Sequence, residues 1–152
     1  MDIIRIAHID DNEDYLFALK RKIKTYNKTA DTKIVVYSYA NGMDFWKAFL
    51  ANPEQFSLVL MDIELGSESG YDIAKRIYSN STHDILPVVM ILSTHVDKDD
   101  SFMSLVNKED LNIEDIMARF TELAVDDTHR NMSDVMLRAE DFSNKIGHAY
   151  SE

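Results

Sequence analysis

Leu58-Val59-Leu60-Met61-Asp62-Ile63-Glu64-Leu65 opens with four apolar residues that run straight into an acid. A short run that is apolar at every position, rather than at alternate ones, reads as a strand covered on both faces. Ile3 to Ile9 and Ile34 to Tyr37 upstream are near-continuous apolar runs, as are Val88 to Leu92 and Phe102 to Val106 downstream. Between these runs the apolar residues recur at steps of three and four: Leu16, Leu19, Ile23 and Tyr26; then Phe45, Trp46, Phe49 and Leu50; then Ile73, Ala74 and Ile77. Strands that alternate with amphipathic helices specify a parallel sheet, because a parallel strand must return through a crossover that covers one face. The expected class is α/β, a doubly wound five-stranded parallel sheet with flanking helices. Ligands of such sheets sit beyond the carboxyl ends of the strands.

The 152 residues are 45% hydrophobic and 10% aromatic, enough for one core and too apolar for a disordered chain of this charge. The 16 Lys and Arg are outnumbered by 27 Asp and Glu, for a net charge of −11. That charge repels phosphate backbones and anionic lipid, so neither direct nucleic-acid binding nor membrane binding is expected. Residues 109–152 hold 11 of the acids and only 4 of the bases, so the acidity is concentrated in the tail. The absence of cysteine excludes disulfides, thiolate catalysis and Cys-ligated zinc. The longest apolar run, Ile85 to Leu92, is interrupted by Pro87 and falls far short of the ~20 residues that span a bilayer. Asp2 and Arg5 flank the short apolar start, which does not read as a signal peptide. A cytoplasmic location is expected.

The strand ends carry the chemistry. Asp10-Asp11-Asn12-Glu13 follows the first strand, Asp62 the third, Ser93-Thr94 the fourth, and Lys108 the short fifth, Leu105-Val106-Asn107. Taken alone, Asp10 and Asp11 fit the plain end of a strand and start of a helix, where acids suit the positive terminus, better than they fit a metal site. Asp62 on a second strand end shifts the balance. Clustered carboxylates repel one another unless a cation sits among them, and a hard divalent ion with oxygen ligands suits them best.

Acid pair, single acid, hydroxyl and lysine in this order resemble the receiver domain of two-component response regulators. The resemblance covers roughly residues 1–125, through the helix with Ile116, Met117, Phe120 and Leu123, and leaves 126–152 as an acidic helical extension or linker. Its most specific stretch is Leu60-Met61-Asp62-Ile63-Glu64-Leu65 followed by Gly70, eight positions after the acid as in that family. The resemblance implies a flavodoxin-like fold in which Asp62 accepts a phosphoryl group from a histidine kinase or phosphotransfer protein. It further implies that Asp10, Asp11, Asp62 and the Glu64 backbone carbonyl hold Mg²⁺, with Mn²⁺ as a substitute. Ser93 would be the switch hydroxyl and Lys108 the cation that meets the phosphoryl oxygens. The implied role is a switch signalling to a partner protein or output domain, not an enzyme beyond its own phosphorylation and dephosphorylation.

The departures from that family are specific. Gly66 and Glu109 stand where prolines are usual, Leu105 stands where an aromatic is common, and Thr94 follows the hydroxyl where a small residue is usual. Thr94 is itself the alternative switch hydroxyl. Fifteen steps from Ser93 to Lys108 leave too little chain for a full fourth helix plus a strand. A single turn or loop containing His95, Asp97, Asp99 and Asp100 is expected there, with the switching signal in that loop and the tail.

Met132, Val135, Ala139, Phe142 and Ile146 form one apolar seam in an expected extra C-terminal helix. It fits packing on the domain, pairing in a homodimer (a role also open to the fifth helix), or a link to an output domain. Lys20-Arg21-Lys22-Ile23-Lys24 reads as a solvated helix face or as a docking surface for the phosphodonor. His8, His83, His95, His129 and His148 show no metal-ligand spacing. Asp62-Ile63-Glu64 superficially suggests the Asp-x-Asp pair of haloacid dehalogenase phosphatases, but here the metal acids precede the nucleophile. A receiver-like scaffold that binds a partner without phosphoryl turnover is the remaining alternative.

Overall fold

In the computed structural model, β1 (Ile3–Ile9), β2 (Lys33–Tyr39), β3 (Leu58–Asp62), β6 (Val88–Ser93) and β7 (Leu105–Asn107) form one sheet. All its pairings are parallel, and its order is β2-β1-β3-β6-β7. The structure describes residues 2–66, 68–80, 86–94, 104–126, 131–137 and 140. The winding reverses between β1 and β3, which places the topological switch point at the carboxyl ends of those two strands. The expected doubly wound α/β sheet is therefore the observed one.

The helices are α1 (Glu13–Asn27), α2 (Gly42–Ala51), α3 (Gly70–Asn80) and α4 (Ile113–Asp126), with residues 131–137 also helical. Side-chain caps start three of them: Asn12, Asn41 and Asn112 accept from the amides of Asp14, Asp44 and Asp115 at 2.9, 2.8 and 3.0 Å. Alternate sheet residues feed two cores. Ala7, Val59, Met61, Val89 and Ile91 face α2, α3 and residues 131–137, whereas Ile6, Leu58, Leu60, Met90 and Leu92 face α1 and α4. Of the three dispositions open to the tail seam, Met132 and Val135 take packing on the domain, each with 0% exposure. Ala139, Phe142 and Ile146 lie outside the described residues, as do His83, His129 and His148 and the expected loop with His95, Asp97, Asp99 and Asp100.

Two local expectations need correction. Leu50 is exposed, because it lies about 140° around the helix from Phe45 and so falls beyond the stripe that Phe45 and Phe49 bury. Trp46 sits at the edge of that stripe, half-buried and stacked on Phe49 at 5.5 Å. The last strand begins at Leu105 rather than Phe102, which is outside the described residues; Ser104 is already in a turn.

The chain after β3 also forms an antiparallel hairpin, β4 (Glu64–Leu65) with β5 (Glu68–Ser69), that no periodicity announced. Gly66 opens its two-residue connection at φ +66°, the left-handed backbone that such a turn requires. A proline, fixed near −65°, is incompatible with that conformation, which accounts for glycine at this position. No helix among the described residues is long and apolar enough to cross a membrane.

Candidate functional site

Asp10 and Asp62 are neighbours because β1 and β3 are neighbours. Ile9 pairs with Met61, so the next residue of each strand emerges level at the switch point. Both acids are buried, at 0% and 2% exposure. Lys108 enters from a third direction, on the 3-10 turn Lys108–Asp110 that follows β7. Its Nζ lies 3.3 Å from Asp10 Oδ2 and 3.4 Å from Asp62 Oδ1.

Local hydrogen bonds hold each member in place. Asp10 Oδ1 accepts from the Asn12 amide at 2.9 Å, so both its oxygens are engaged. Asp62 Oδ1 also accepts from the Glu64 amide at 3.4 Å. The contacts found on Asp62 among the described residues thus fall on Oδ1. Glu109 gives its amide to Asn107 Oδ1 at 2.9 Å, a bond that a proline there could not make. Tyr15 presents its ring face 4.2 Å from Lys108 Nζ, a cation–π contact that confines the ammonium further.

Gly70 is required by packing. A Cβ at this position would fall on the Asp62 carbonyl oxygen and crowd Met61 Cγ, while the Gly70 amide donates to the Ile63 carbonyl at 2.8 Å. The glycine eight residues after Asp62 therefore lets α3 start directly against the strand end that carries the acid.

The electrostatics are unbalanced toward negative charge. Burial first, and the Asp10 carboxylate second, push Asp62 up to about 6. Burial likewise raises Asp10. Burial alone would lower Lys108, but the two carboxylates outweigh it and the ammonium is held above its usual range. Asp11 is exposed, and no hydrogen bond or ion pair is found for it among the described residues. Carboxylate oxygens of Asp10, Asp11 and Asp62 come within 4.8 Å of one another, with one ammonium among them. An all-oxygen donor set with excess negative charge fits a hard divalent cation such as Mg²⁺, which would favour the ionised form of each acid.

Ser93 closes β6 at 1% exposure, one residue beyond the Leu92 that pairs with Asp62, and Thr94 is half-buried behind it. The structure brings together Asp10, Asp11, Asp62 and Lys108, and places Ser93 and Glu64 on the adjoining strand end and hairpin. Two residues of this neighbourhood were missed. Tyr15 carried no signal beyond its place in the first turn of α1. His8, two residues before Asp10, is buried with both ring nitrogens unpartnered among the described residues. Burial, with Lys108 second, takes it down to about 4, so the imidazole is neutral at physiological pH. It shares a cavity of about 20 Å³ with Asp10, Tyr15 and Lys108.

The basic run of α1 is less free than its composition suggests. Ile23 is buried, Lys22 donates to the Leu111 carbonyl at 2.6 Å, and Arg21 lies over the Phe17 ring at 5.1 Å. Lys20 and Lys24 remain as exposed cations.

No family model and no curated protein matches the sequence. Solved structures do match its backbone. A response regulator receiver domain protein from Clostridium thermocellum superposes with a TM-score of 0.58 at 16% identity, covering 91% of this chain and 98% of that one. The fold is that of the receiver domain. The Vibrio cholerae chemotaxis protein CheY4 gives a TM-score of 0.59 at 12% identity over 79% of this chain and 98% of that one. The response regulator DrrB of Thermotoga maritima gives 0.56 at 23% identity, covering 80% of this chain and 52% of that one. In this receiver fold the acids and Lys108 stand at the carboxyl edge of the sheet, where the winding reverses.

Proposed function

We propose that the chain is a phosphorylation-controlled switch in which Asp62 accepts a phosphoryl group from a histidine kinase or phosphotransfer protein. The observation that carries this reading is the triangle of Asp10, Asp62 and Lys108 from three strand ends, with Asp11 exposed beside it. Asp62 Oδ2 attacks the phosphorus of a phosphohistidine; the O–P bond forms as the P–N bond breaks, and the departing imidazole takes a proton from solvent. Resetting runs through water, which attacks the phosphorus, breaks the acyl P–O bond and regenerates the carboxylate. Phosphoryl transfer is catalysed by positioning and charge neutralisation rather than by further covalent chemistry. Lys108 supplies one positive charge to the phosphoryl oxygens, and Ser93 supplies the hydroxyl that meets them. Mg²⁺, held by Asp10, Asp11, Asp62 and the Glu64 carbonyl, would neutralise further charge on the transferring group.

On this reading residues 1–125 are the switching unit and 126–152 its extension, and the protein signals by binding rather than by turning over a substrate. The test is intact mass after incubation with acetyl phosphate, with Mg²⁺ and with chelator. One added phosphoryl group, seen only with the metal, supports the reading; none under either condition contradicts it.

Two variants separate the roles. Asp11→Ala should weaken Mg²⁺ binding at least tenfold in calorimetric titration, because among the described residues Asp11 is the acid of the three with no hydrogen bond or ion pair, while the fold is retained. An unchanged affinity would remove Asp11 from the metal site. Lys108→Ala should keep Mg²⁺ binding but uncouple phosphorylation from the conformational response, since the ammonium meets the phosphoryl oxygens only after they arrive. A full spectral change on phosphorylation of that variant would refute this role.

A further inference from the structure

The edge of the sheet at β6 is closed in an unusual way. The Val88 amide bonds Ser57 on the β3 side, so by alternation the amide and carbonyl of Val89 face the β7 side. β7 does not reach that level; its first residue, Leu105, pairs with Ile91. Asn131, from the helix over 131–137, fills the gap. Its Oδ1 accepts from the Val89 amide at 2.9 Å and its Nδ2 donates to the Val89 carbonyl at 3.3 Å, as one residue of a strand would. The same Nδ2 donates to Ser104 Oγ at 2.5 Å, and the Ser104 carbonyl accepts from Ile91 at 2.7 Å. One buried amide therefore ties β6 to the residue that leads into β7, with Met132 and Val135 anchoring its helix in the core.

β7 is only three residues long, with Ser104 before it and Lys108 after it. It is the short link between Asn131 and the acidic site. Lys108 Nζ stands 3.4 Å from Asp62 Oδ1, and Tyr15 packs against it at 4.2 Å. A phosphoryl group on Oδ2 gives the ammonium new acceptors beyond Asp62 Oδ1, so Lys108, and with it the end of β7, is drawn toward them. We propose that the helix over 131–137 is a built-in brake on the switch: through Asn131 it holds β6 and β7 in their unphosphorylated register, and it is released when a phosphoryl group arrives on Asp62. This rests on the reading of Asp62 as acceptor and Lys108 as its cation.

By linkage, a contact that the phosphorylated state loses must also oppose phosphoryl binding. Beryllofluoride with Mg²⁺, a phosphoryl mimic, serves as the probe on the full chain. Hydrogen exchange of the wild type should show the Val89 amide and the amides of 131–137 exchanging about tenfold faster or more with the probe bound. Asn131→Ala should bind the probe tighter by about three- to thirtyfold, the equivalent of one or two neutral hydrogen bonds, and Ser104→Ala by a smaller factor. Exchange at 131–137 that is unchanged or slower with the probe bound overturns the brake, and this arm needs no variant to fold. Folded Asn131→Ala or Ser104→Ala protein with unchanged or weaker binding overturns it equally. Probe binding that is absent from the wild type, or survives in Asp62→Asn, instead overturns the acceptor reading beneath it.

Discussion

Asp62→Asn is expected to take up no phosphoryl group under conditions where the wild type takes up one, while melting at a temperature no lower than the wild type. The first half follows from the nucleophile: an amide oxygen at this position cannot form the acyl phosphate, and the other buried acid, Asp10, has both oxygens engaged by Asn12 and Lys108. The second half follows from the electrostatics of the site. Burial and the Asp10 carboxylate both disfavour negative charge on Asp62, and Asn keeps the side chain's shape while removing that charge. Lys108 retains Asp10 as its partner. Intact mass and a thermal melt on the same preparation check both halves. A phosphorylated variant removes Asp62 as the acceptor; an unfolded one shows the substitution to be structural.

Gly70→Ala is expected to be the most destabilising glycine-to-alanine change among the described residues. The new Cβ falls on the Asp62 carbonyl oxygen, a backbone atom fixed in the central strand of the sheet, so no side-chain rotation relieves the clash. Either α3 or the end of β3 must shift, at a cost of about 3 kcal/mol, which in a domain of this size lowers the Tm by roughly 6–12 °C. Gly66→Ala provides the contrast. Its φ of +66° is strained for any residue with a Cβ, yet nothing lies within 4 Å, so the cost should be only about 1–2 kcal/mol. Equal melting temperatures for the two variants would show that contact with the acceptor strand is not what makes Gly70 necessary.

The parts of this fold that were legible in the sequence are those determined locally. Ile6–Ile9 and Leu58–Asp62 are buried on both faces, so their composition alone marks them as strands, and the acid at the end of each marks the site. The spacing of Gly70 from Asp62 was likewise readable, although the clash that enforces it appears only in three dimensions. What was not legible depends on elements meeting from far apart. The β4–β5 hairpin has two-residue strands, too short for any period to register. Tyr15 and His8 carry no pattern that ties them to Lys108, more than ninety residues away in sequence. Asn131 reads as one polar residue ahead of an apolar seam; only the premature end of β7 pairing turns it into the partner of Val89, 42 positions earlier.

The most direct measurement is the location of the phosphoryl group itself. The protein is incubated with acetyl phosphate and Mg²⁺, and the acyl phosphate is reduced with borohydride. Peptide mass spectrometry then identifies the carboxylate converted to an alcohol. Conversion of Asp62, with Asp10 and Asp11 left as acids, is the predicted result. Conversion at any other carboxylate, or none in protein whose intact mass shows phosphoryl uptake, would contradict Asp62 as the acceptor.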